Sequence, residues 1–288
     1  MKGLLLALLL IAAVCALAAA SYESSIEQWR QKREAALTAD GGWLTVAGLF
    51  WLKEGDNTAG SDPAGDIVLP RGPARAGVFH FHDGKTTFRS DVPMAATRSS
   101  SPSQELKPDS DDAVSLDDLS MFVIHRGERY AIRLKDKQSK FRREFTGLHW
   151  YPPKPEYRVV ARFVRYATPK LITIPNILGE TEKSPSEGYA AFTLNGREYH
   201  LEPVVEDDQL FFIFRDLTSA KDTYGSGRFL YSDRPKDGKV ILDFNKAYNP
   251  PCAFTPYATC PLPPPQNRLP VRIEAGELNY GEGHHAAP

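Results

Sequence analysis

Short runs of apolar and β-branched residues, separated by turn residues, fill the chain from Trp43 onward. Runs of this kind are typical of β-strands. Asp83-Gly84, Asn195-Gly196 and Asp237-Gly238 each lie between two such runs. Asn-Gly and Asp-Gly readily adopt the positive φ angles of a type I′ turn, so each pair predicts a hairpin tip. The pattern predicts an all-β, mostly antiparallel protein.

The N-terminal pattern differs, because its apolar positions form one run from Leu4 to Leu17. Lys2 precedes the run and a row of alanines ends at Ala20, which is typical of a signal peptide over residues 1–20. The run is also shorter than the roughly 20 residues that a membrane-spanning helix needs. We therefore expect a secreted or periplasmic protein with no integral membrane segment after cleavage.

A short helix is expected after the cleavage site, within residues 21–42. The sequence Ser-Ile-Glu-Gln from Ser25 fits a capping box, in which Ser25 is the N-cap and Gln28 reaches back to it. This helix would continue to about Leu37 with only a narrow apolar stripe. We interpret it as a strut or lid that packs along one edge of the protein.

Two β domains are expected to follow this helix. The charged segment Asp136–Arg143 indicates their boundary, so the first domain covers residues 43–136 and the second covers residues 137–280. Within the first domain, the Ser-, Pro- and Asp-rich segment Ala95–Asp118 predicts a long surface loop. Residues 281–288 are expected to form a disordered tail.

Seven prolines lie between Pro250 and Pro265, inside the segment Asp243–Asn267. This much proline excludes an ordinary helix or central strand, because proline lacks an amide donor and fixes φ. The aromatic residues of the same segment argue against a disordered linker. We predict an ordered loop laid over the second β domain.

Cys252 and Cys260 are the cysteines that remain once the signal peptide is removed together with Cys15. An even cysteine count in an exported protein favours a disulfide between them. A metal site is the alternative interpretation, but the segment lacks a second pair of ligands. No cofactor is predicted from the sequence.

Composition narrows the choice of partners. Hydrophobic residues make up 42% of the chain, which is enough for a sizeable core, and the formal net charge is -1. A near-neutral chain gives no electrostatic reason to expect nucleic acid as a partner. An unidentified small-molecule or polymer ligand is the expected partner instead.

A candidate site lies around the segment RDLTSAKDTYGSGR, which links two predicted strands and combines glycines with charged side chains. Glycines let a backbone approach a ligand closely, and loops on a rigid β scaffold often carry sites. The alternative is an internal network, in which an arginine pairs with a carboxylate to hold the proline-rich loop. The candidate ligand-binding residues are Arg142, Arg215, Asp216, Tyr224, Arg228, Asp243, Asn245, Tyr248, Asn249 and Tyr257.

Histidines offer further candidates. His149, in RREFTGLHWYPP, has the chemistry of a general base, but it also fits a residue that satisfies a backbone carbonyl. His80 and His82 share one face of a predicted strand, a spacing that a metal ion can use, although solvent-facing residues of a sheet edge give the same pattern. His284 and His285 fall in the expected tail. Because no nucleophile elbow, H-E-x-x-H motif or P-loop is present, no catalytic residue is assigned.

The sequences GDNTAGSDPAGDIVLP and GVFHFHDGKTTF resemble the start of a forkhead-associated domain. That family is a β-sandwich that recognises phosphothreonine peptides. Gly60 keeps its place, but Ser61 and the segment Ala74-Arg75-Ala76-Gly77 stand where the family's phosphate-binding arginine and its Ser-Arg-x-His loop belong. The resemblance implies a sandwich for residues 43–136. It argues against phosphopeptide binding, because the phosphate needs those charged donors.

Nearly all of the chain after residue 20 resembles a bacterial family known as domain of unknown function 1684. The matching stretches are DFNKAYNPPCAFTPYATCPLPPPQN, DGGWLTVAGLFWLKEGDNTAGS, RREFTGLHWYP, FRDLTSAKDTYGSGRFLY and NRLPVRIEAGE. The resemblance implies an exported or cytoplasmic β protein in two parts. It implies no particular chemistry.

We therefore expect an exported ligand-binding module with a pocket beneath the proline-rich loop of the second domain. A hydrolase is the first alternative, with Asp243, Asp216 or His149 as acid or base, and it requires two such groups to face one cleft. A structural protein of the envelope is the second alternative, and it requires a large exposed apolar patch without a cavity.

Overall fold

The computed structural model describes the backbone of residues 2–92 and 103–281, and the side chains of residues 20–92 and 103–281. The protein is mostly β, as its sequence predicts, and most strand pairs are antiparallel. It divides into two compact units, which we call the large unit and the small unit. The large unit takes in the chain up to Ala36, Thr146–Ala253 and the part from Thr259 onward, and the small unit comprises Leu37–Phe145 and Phe254–Ala258.

One long helix, α1 (Lys2–Thr38), begins the chain. The hydroxyl of Ser25 donates to the carbonyl oxygen of Tyr22, 2.6 Å away and three residues earlier in the same helix. The N-cap predicted for Ser25 is therefore wrong, because helical residues upstream continue the backbone hydrogen-bond ladder through this position. Within the described residues, no helix combines the length and the apolar composition that a membrane span requires.

Nine of the described strands form the small unit and pair into two sheets. One sheet has the order β1-β9-β8-β7 and the other has the order β3-β2-β4-β5-β6, with strand bounds β1 (Val46–Trp51), β2 (Gly55–Gly60), β3 (Ile67–Val68), β4 (Gly77–His82), β5 (Lys85–Ser90), β6 (Ser103–Leu106), β7 (Ala113–Leu116), β8 (Leu119–Arg126) and β9 (Arg129–Asp136). A short helix, α2 (Lys140–Arg143), follows β9, and the hydroxyl of Ser139 caps it by accepting from the amide of Phe141.

The two sheets of the small unit share one hydrophobic core. Phe79 and Phe88 of one sheet lie in the same cluster as Met121, Ile132 and Leu134 of the other, and each is 3% exposed or less. Successive side chains of a strand point to opposite faces, so each sheet packs one apolar face against the other sheet. The small unit is thus a two-layer β structure.

Two short strands, β6 and β7, lie inside the segment Ala95–Asp118 that the sequence predicts as a long surface loop. That prediction is wrong for residues 103–106 and 113–116, which are strands, whereas residues 107–112 and 117–118 are turns or irregular. Leu106 and Val114 are buried in the core of the small unit and hold their strands against β5 and β8. Polar residues around these two positions masked the strand pattern. Residues 95–102 of the segment lie outside the described part of the chain.

The large unit contains two further sheets and most of α1. Their orders are β12-β11-β10-β16 and β13-β14-β15, with strand bounds β10 (Arg158–Pro175), β11 (Thr181–Leu194), β12 (Arg197–Leu201), β13 (Val204–Glu206), β14 (Gln209–Phe214), β15 (Arg228–Asp233) and β16 (Lys239–Asp243). Phe163, Phe192 and Leu242 of the first sheet share a buried cluster with Phe212 and Phe214 of the second. Both sheets therefore close over one core.

The three predicted hairpin tips are turns in the structure. Asp83, Asn195 and Asp237 have φ angles of 47°, 52° and 50°, and the glycine after each also has a positive φ. The first pair joins β4 to β5 and the second joins β11 to β12. The third joins β15 to β16, which belong to different sheets, so this turn carries the chain from one layer to the other.

The proline-rich segment Asp243–Asn267 adopts a defined, non-strand conformation, as its sequence predicts. It holds three single-turn 3-10 helices, Phe244–Lys246, Pro251–Ala253 and Pro265–Asn267. Such turns tolerate proline because they belong to no strand ladder, so the amide hydrogen that proline lacks is not required. Residues Phe254–Ala258 count with the small unit and the remainder of the segment with the large unit.

Some sequence predictions fall outside the described residues. They concern the tail from residue 282 onward, with His284 and His285, and the side chain of Cys15. These predictions stay predictions.

Candidate ligand-binding cleft

A cleft of about 1020 Å³ opens on the large unit. It is lined by one face of α1, by the outward face of β10 and β16, and by β15 with the turn that follows it. Its volume lies at the upper end of the range of small-molecule sites, roughly 300–1,000 Å³. The cleft adjoins the first residues of the proline-rich segment rather than its prolines, since it is lined by Asp243, Lys246 and Tyr248.

The helical wall of the cleft comes from α1. Trp29, Lys32 and Arg33 line the cleft, and their spacing of three and four residues puts them on one face of a helix. Ile26, one turn earlier, is fully buried. The helix therefore packs on the large unit and also presents an aromatic and cationic face, whereas the sequence predicted only a strut or lid.

The sheet wall of the cleft is set by strand register. Arg158 lies opposite Asp243, and Val160 lies opposite Ile241. Residues two apart on a strand share a face, so these four side chains form one patch on the outward face of the sheet. Val160 is 58% exposed and Ile241 is 41% exposed. The patch thus places two solvent-exposed aliphatic side chains, Val160 and Ile241, beside the guanidinium group of Arg158.

Aromatic rings form a row along the cleft. The rings of Tyr231 and Tyr248 are nearly parallel, with an angle of 12° between their planes and 6.5 Å between their centroids. The centroid of Trp29 lies 6.3 Å from that of Tyr248. Phe211, on the neighbouring strand, stacks on Tyr231 at 4.7 Å. This support fixes the orientation of the half-buried rings that line the cleft.

Arg33 packs against Tyr248, one of the rings of this aromatic row. Its guanidinium carbon lies 4.4 Å from the ring centroid of Tyr248, and its Nη2 donates to the carbonyl oxygen of Asn249 at 3.0 Å. Its Nε lies 3.6 Å from Oε2 of Glu277, a side chain that is fully buried. When this carboxyl group is ionised, it balances the charge of Arg33 from within the protein.

Burial raises the pKa values of the two acidic groups that contact Arg33, Glu277 and Tyr248. Neither carboxylate oxygen of Glu277 makes a well-formed hydrogen bond within the described part of the chain. Burial raises the pKa of Glu277 to about 7, and the charge of Arg33 and the amides of Asn249 limit the rise. Burial likewise raises the pKa of the Tyr248 hydroxyl to about 12. Glu277 is therefore a carboxyl group that titrates near neutrality.

The cleft carries an excess of positive charge. Its lining includes two carboxylates, Asp233 and Asp243, against seven cations. Asp243 accepts a hydrogen bond from the hydroxyl of Tyr22 at 2.8 Å. The seven cations are Lys32, Arg33, Arg158, Arg234, Lys236, Lys239 and Lys246.

Of the ten candidate residues from the sequence, Asp243 and Tyr248 line the cleft. Arg228 and Asp216 lie elsewhere, in a fully buried ion pair whose side chains are both 0% exposed. Arg228 also donates to the carbonyl oxygens of Ile273 and Ala275. This is the internal arginine–carboxylate network that the sequence left open as the alternative.

Asn245 and Asn249 are buried and bind backbone. The amide side chain of Asn245 accepts from the nitrogen of Lys154 at 2.9 Å and donates to its carbonyl oxygen at 2.8 Å. Asn249 Nδ2 donates to the carbonyl oxygen of Leu278 at 2.7 Å. Both residues hold the beginning of the proline-rich segment in place.

The remaining candidates are spread over both units. Arg215 is exposed, while its backbone pairs with the chain near Asn267. Arg142 and Tyr257 belong to the small unit, where Arg142 forms an ion pair with Asp40 at 3.0 Å. These three residues do not line the cleft of the large unit.

The predicted disulfide is not formed. Cys252 and Cys260 are buried thiols that are not joined by a disulfide, and the amide of Cys252 donates to Sγ of Cys260 at 3.1 Å. A side-chain hydrogen bond with Cys260 lowers the pKa of Cys252. The hydroxyl of Tyr224 donates to the carbonyl oxygen of Cys252 at 3.1 Å. An even cysteine count does not set the geometry that a disulfide requires, and hydrogen bonds hold the segment here instead.

The histidines within residues 20–92 and 103–281 do not belong to a cluster with metal-binding geometry. No group of three or more His, Cys, Asp or Glu side chains with metal-binding geometry occurs among the described residues. His80 and His82 are exposed and pair with Asp56, on the neighbouring strand β2, and with Glu54, which directly precedes that strand. His149 is exposed and does not line the cleft.

Sequence reasoning missed the contribution of α1 and of Glu277 to the cleft. Trp29 and Arg33 looked like parts of a strut, because nothing local connects them to Tyr248. Glu277 lies in the stretch NRLPVRIEAGE, in which a charged residue ordinarily faces solvent. The spacing of an aromatic residue and two cations on one helix face was the available signal.

Comparisons with known proteins find a family match over part of the chain but no known activity. A solution NMR structure of an uncharacterized protein of Haloarcula marismortui is similar, with 32% sequence identity over 50% of this chain and 81% of that chain, and a TM-score of 0.41. No curated protein matches this chain. Residues 143–278, which include both sheets of the large unit, match the family described as protein of unknown function (DUF1684).

Proposed function

We propose that the protein is a binding module for a small anionic ligand, which it holds in the cleft of the large unit. The observation that carries the proposal is the charge of the lining, with seven cations against two carboxylates. The whole chain has a formal net charge of -1. Positive charge is therefore concentrated in this concavity rather than spread over the protein, which attracts and retains anions.

The cations of the cleft are largely uncompensated. Within the described residues, the ion pairs of this group are those of Arg33 with Glu277 and of Arg234 with Glu187. The other five cations make no ion pair within 4.0 Å of a described carboxylate. Like charges that share a concave wall repel one another, and an anion that enters relieves this repulsion.

The hydrolase alternative has less support. It needs two acid–base groups in one cleft, but Asp216 is buried against Arg228, and His149 lies outside the lining. Asp243 is engaged by the Tyr22 hydroxyl. The structural-protein alternative needs an extended apolar surface without a cavity, whereas this cleft is a cavity. Binding is the function that the geometry favours.

Export belongs to the same proposal. The apolar run that ends at Ala20 supports a cleavable signal peptide and a secreted or periplasmic location. The cleft residues on α1 begin at Trp29, after that site, so the cleaved protein keeps them.

Isothermal titration with inorganic pyrophosphate tests the proposal. We expect saturable binding that weakens with added salt, because salt screens charge. Lys239→Gln and Lys246→Gln each remove one cation and should weaken binding about tenfold, the loss expected for one charge-assisted hydrogen bond. Lys183→Gln is the matched control, since Lys183 is an exposed strand lysine outside the cleft. Equal losses in all three variants, or no binding to the wild type, contradict the proposal.

A further inference from the structure

The lining of the cleft is not cationic throughout. Val160 of β10 and Ile241 of β16 are direct neighbours on adjacent strands, and their side chains are 58% and 41% exposed. They are two of five large hydrophobic side chains that are exposed in the described part of the chain. An inorganic anion would leave them in water. A ligand with an apolar face would cover them and gain roughly 25 cal/mol for each Å² removed from water.

The aromatic residues define the shape of that apolar part. Tyr231 and Tyr248 line the cleft, and their planes differ by 12°. Phe211 backs the ring of Tyr231, and Arg33 lies against the ring of Tyr248. Rings held in this way offer flat, rigid surfaces, which suit a planar ring better than a flexible chain.

Polar groups lie beside the rings. Gln209 pairs with Asp233 in the strand register, and both line the cleft together with Tyr231. Asp233 lies two residues after Tyr231 and therefore on the same face of β15. An amide and a carboxylate together supply donors and acceptors for the edge of a heteroaromatic ring. The carboxylate of Asp233 disfavours a phosphate at this position, so the negative part of a ligand belongs nearer the lysines.

We propose that the ligand is a planar heteroaromatic ring that carries a polyanionic group, the chemistry of a nucleoside diphosphate. The ring lies against Tyr231 and the aliphatic pair, and the anionic group lies among the cations of α1, β10 and β16. This inference rests on the proposed function and narrows it, because an anion-binding cleft does not by itself need a ring.

Titration with ADP and with pyrophosphate, at the same pH and salt concentration, tests the inference. We expect ADP to bind at least tenfold more tightly than pyrophosphate, since each stacked base adds a contact that the inorganic anion lacks. If pyrophosphate binds and ADP gains nothing, the inference is overturned while the proposed function stands. If neither binds, both are overturned. If dodecanoate binds more tightly than ADP, the apolar part of the ligand is a chain, and the inference is again overturned.

Variants of Tyr231 locate the ring. Tyr231→Leu should abolish the preference for ADP, so that ADP affinity falls about tenfold more than pyrophosphate affinity does. Tyr231→Phe keeps the ring and should keep the preference, which separates loss of stacking from loss of folding. Tyr166→Leu is the matched control, because Tyr166 is also half-buried and also donates its hydroxyl to a glutamate, but lies outside the cleft. An unchanged ADP preference in Tyr231→Leu overturns the inference.

Discussion

The buried carboxyl group of Glu277 makes the stability of the protein depend on pH in an unusual direction. Burial raises its pKa from the ordinary value of 4.5 to about 7. Between these values the folded protein keeps a proton that the unfolded chain has released. Stability linked to this group is thus fully present below pH 4.5 and is lost as the pH rises through 7.

The magnitude follows from the size of the pKa change. One pKa unit corresponds to 1.36 kcal/mol, so a rise from 4.5 to about 7 corresponds to about 3 kcal/mol of unfolding free energy. Glu277→Gln replaces the carboxyl group by a neutral group of the same shape. We expect the variant to lose this pH dependence, so that its stability relative to the wild type rises by about 3 kcal/mol between pH 4.5 and pH 8.

Urea unfolding of both proteins across this pH range measures the difference. Glu274→Gln is the control, because Glu274 pairs with Arg272 at the surface and its side chain is 40% exposed. Carbon-13 NMR of the Glu277 carboxyl group gives its midpoint directly and does not depend on the unfolding model. Parallel stability profiles of the wild type and Glu277→Gln, or a midpoint near 4.5, would refute the reasoning.

Three further predictions concern the core, the thiols and the N-terminus. Arg228→Met should cost about 3–5 kcal/mol of stability, since it leaves Asp216 as a buried unpaired charge, and Asp216→Leu in the same chain should recover part of the loss in thermal unfolding. Cys252 and Cys260 should react with a thiol reagent after denaturation and resist it in the native protein, and a mass 2 Da below that of the reduced chain would contradict their reduced state. N-terminal sequencing of the protein secreted by its own cells should begin immediately after Ala20, and an intact leader would contradict export.

The β architecture was readable from the sequence because its signals are local. Asp83-Gly84 and Asn195-Gly196 formed the predicted turns, since two adjacent residues suffice to set a type I′ geometry. The strands β6 and β7 were missed for the converse reason. Their strand character comes from burial of Leu106 and Val114 against neighbours, and four residues among Ser and Asp carry too little pattern to show it.

The proline-rich segment also combines a feature that local sequence predicts with one that depends on distant residues. Its irregular but defined conformation followed from proline chemistry alone. The means of attachment did not, because the sequence suggested a disulfide, whereas buried amides such as those of Asn245 and Asn249 bind the backbone of residues 154 and 278. Which polar groups meet depends on chain segments that are far apart in sequence.

By itself, the sequence determined an all-β protein with an N-terminal helix, its main turns and its ordered proline-rich segment, because these features depend on neighbouring residues. The cleft was decided by tertiary structure. Arg33 and Asn249 are 216 residues apart along the chain yet are joined by a hydrogen bond. The charge of the cleft arises in the same way, since cations from α1, two strands, a turn and a single-turn 3-10 helix collect in one concavity of a chain that is nearly neutral as a whole.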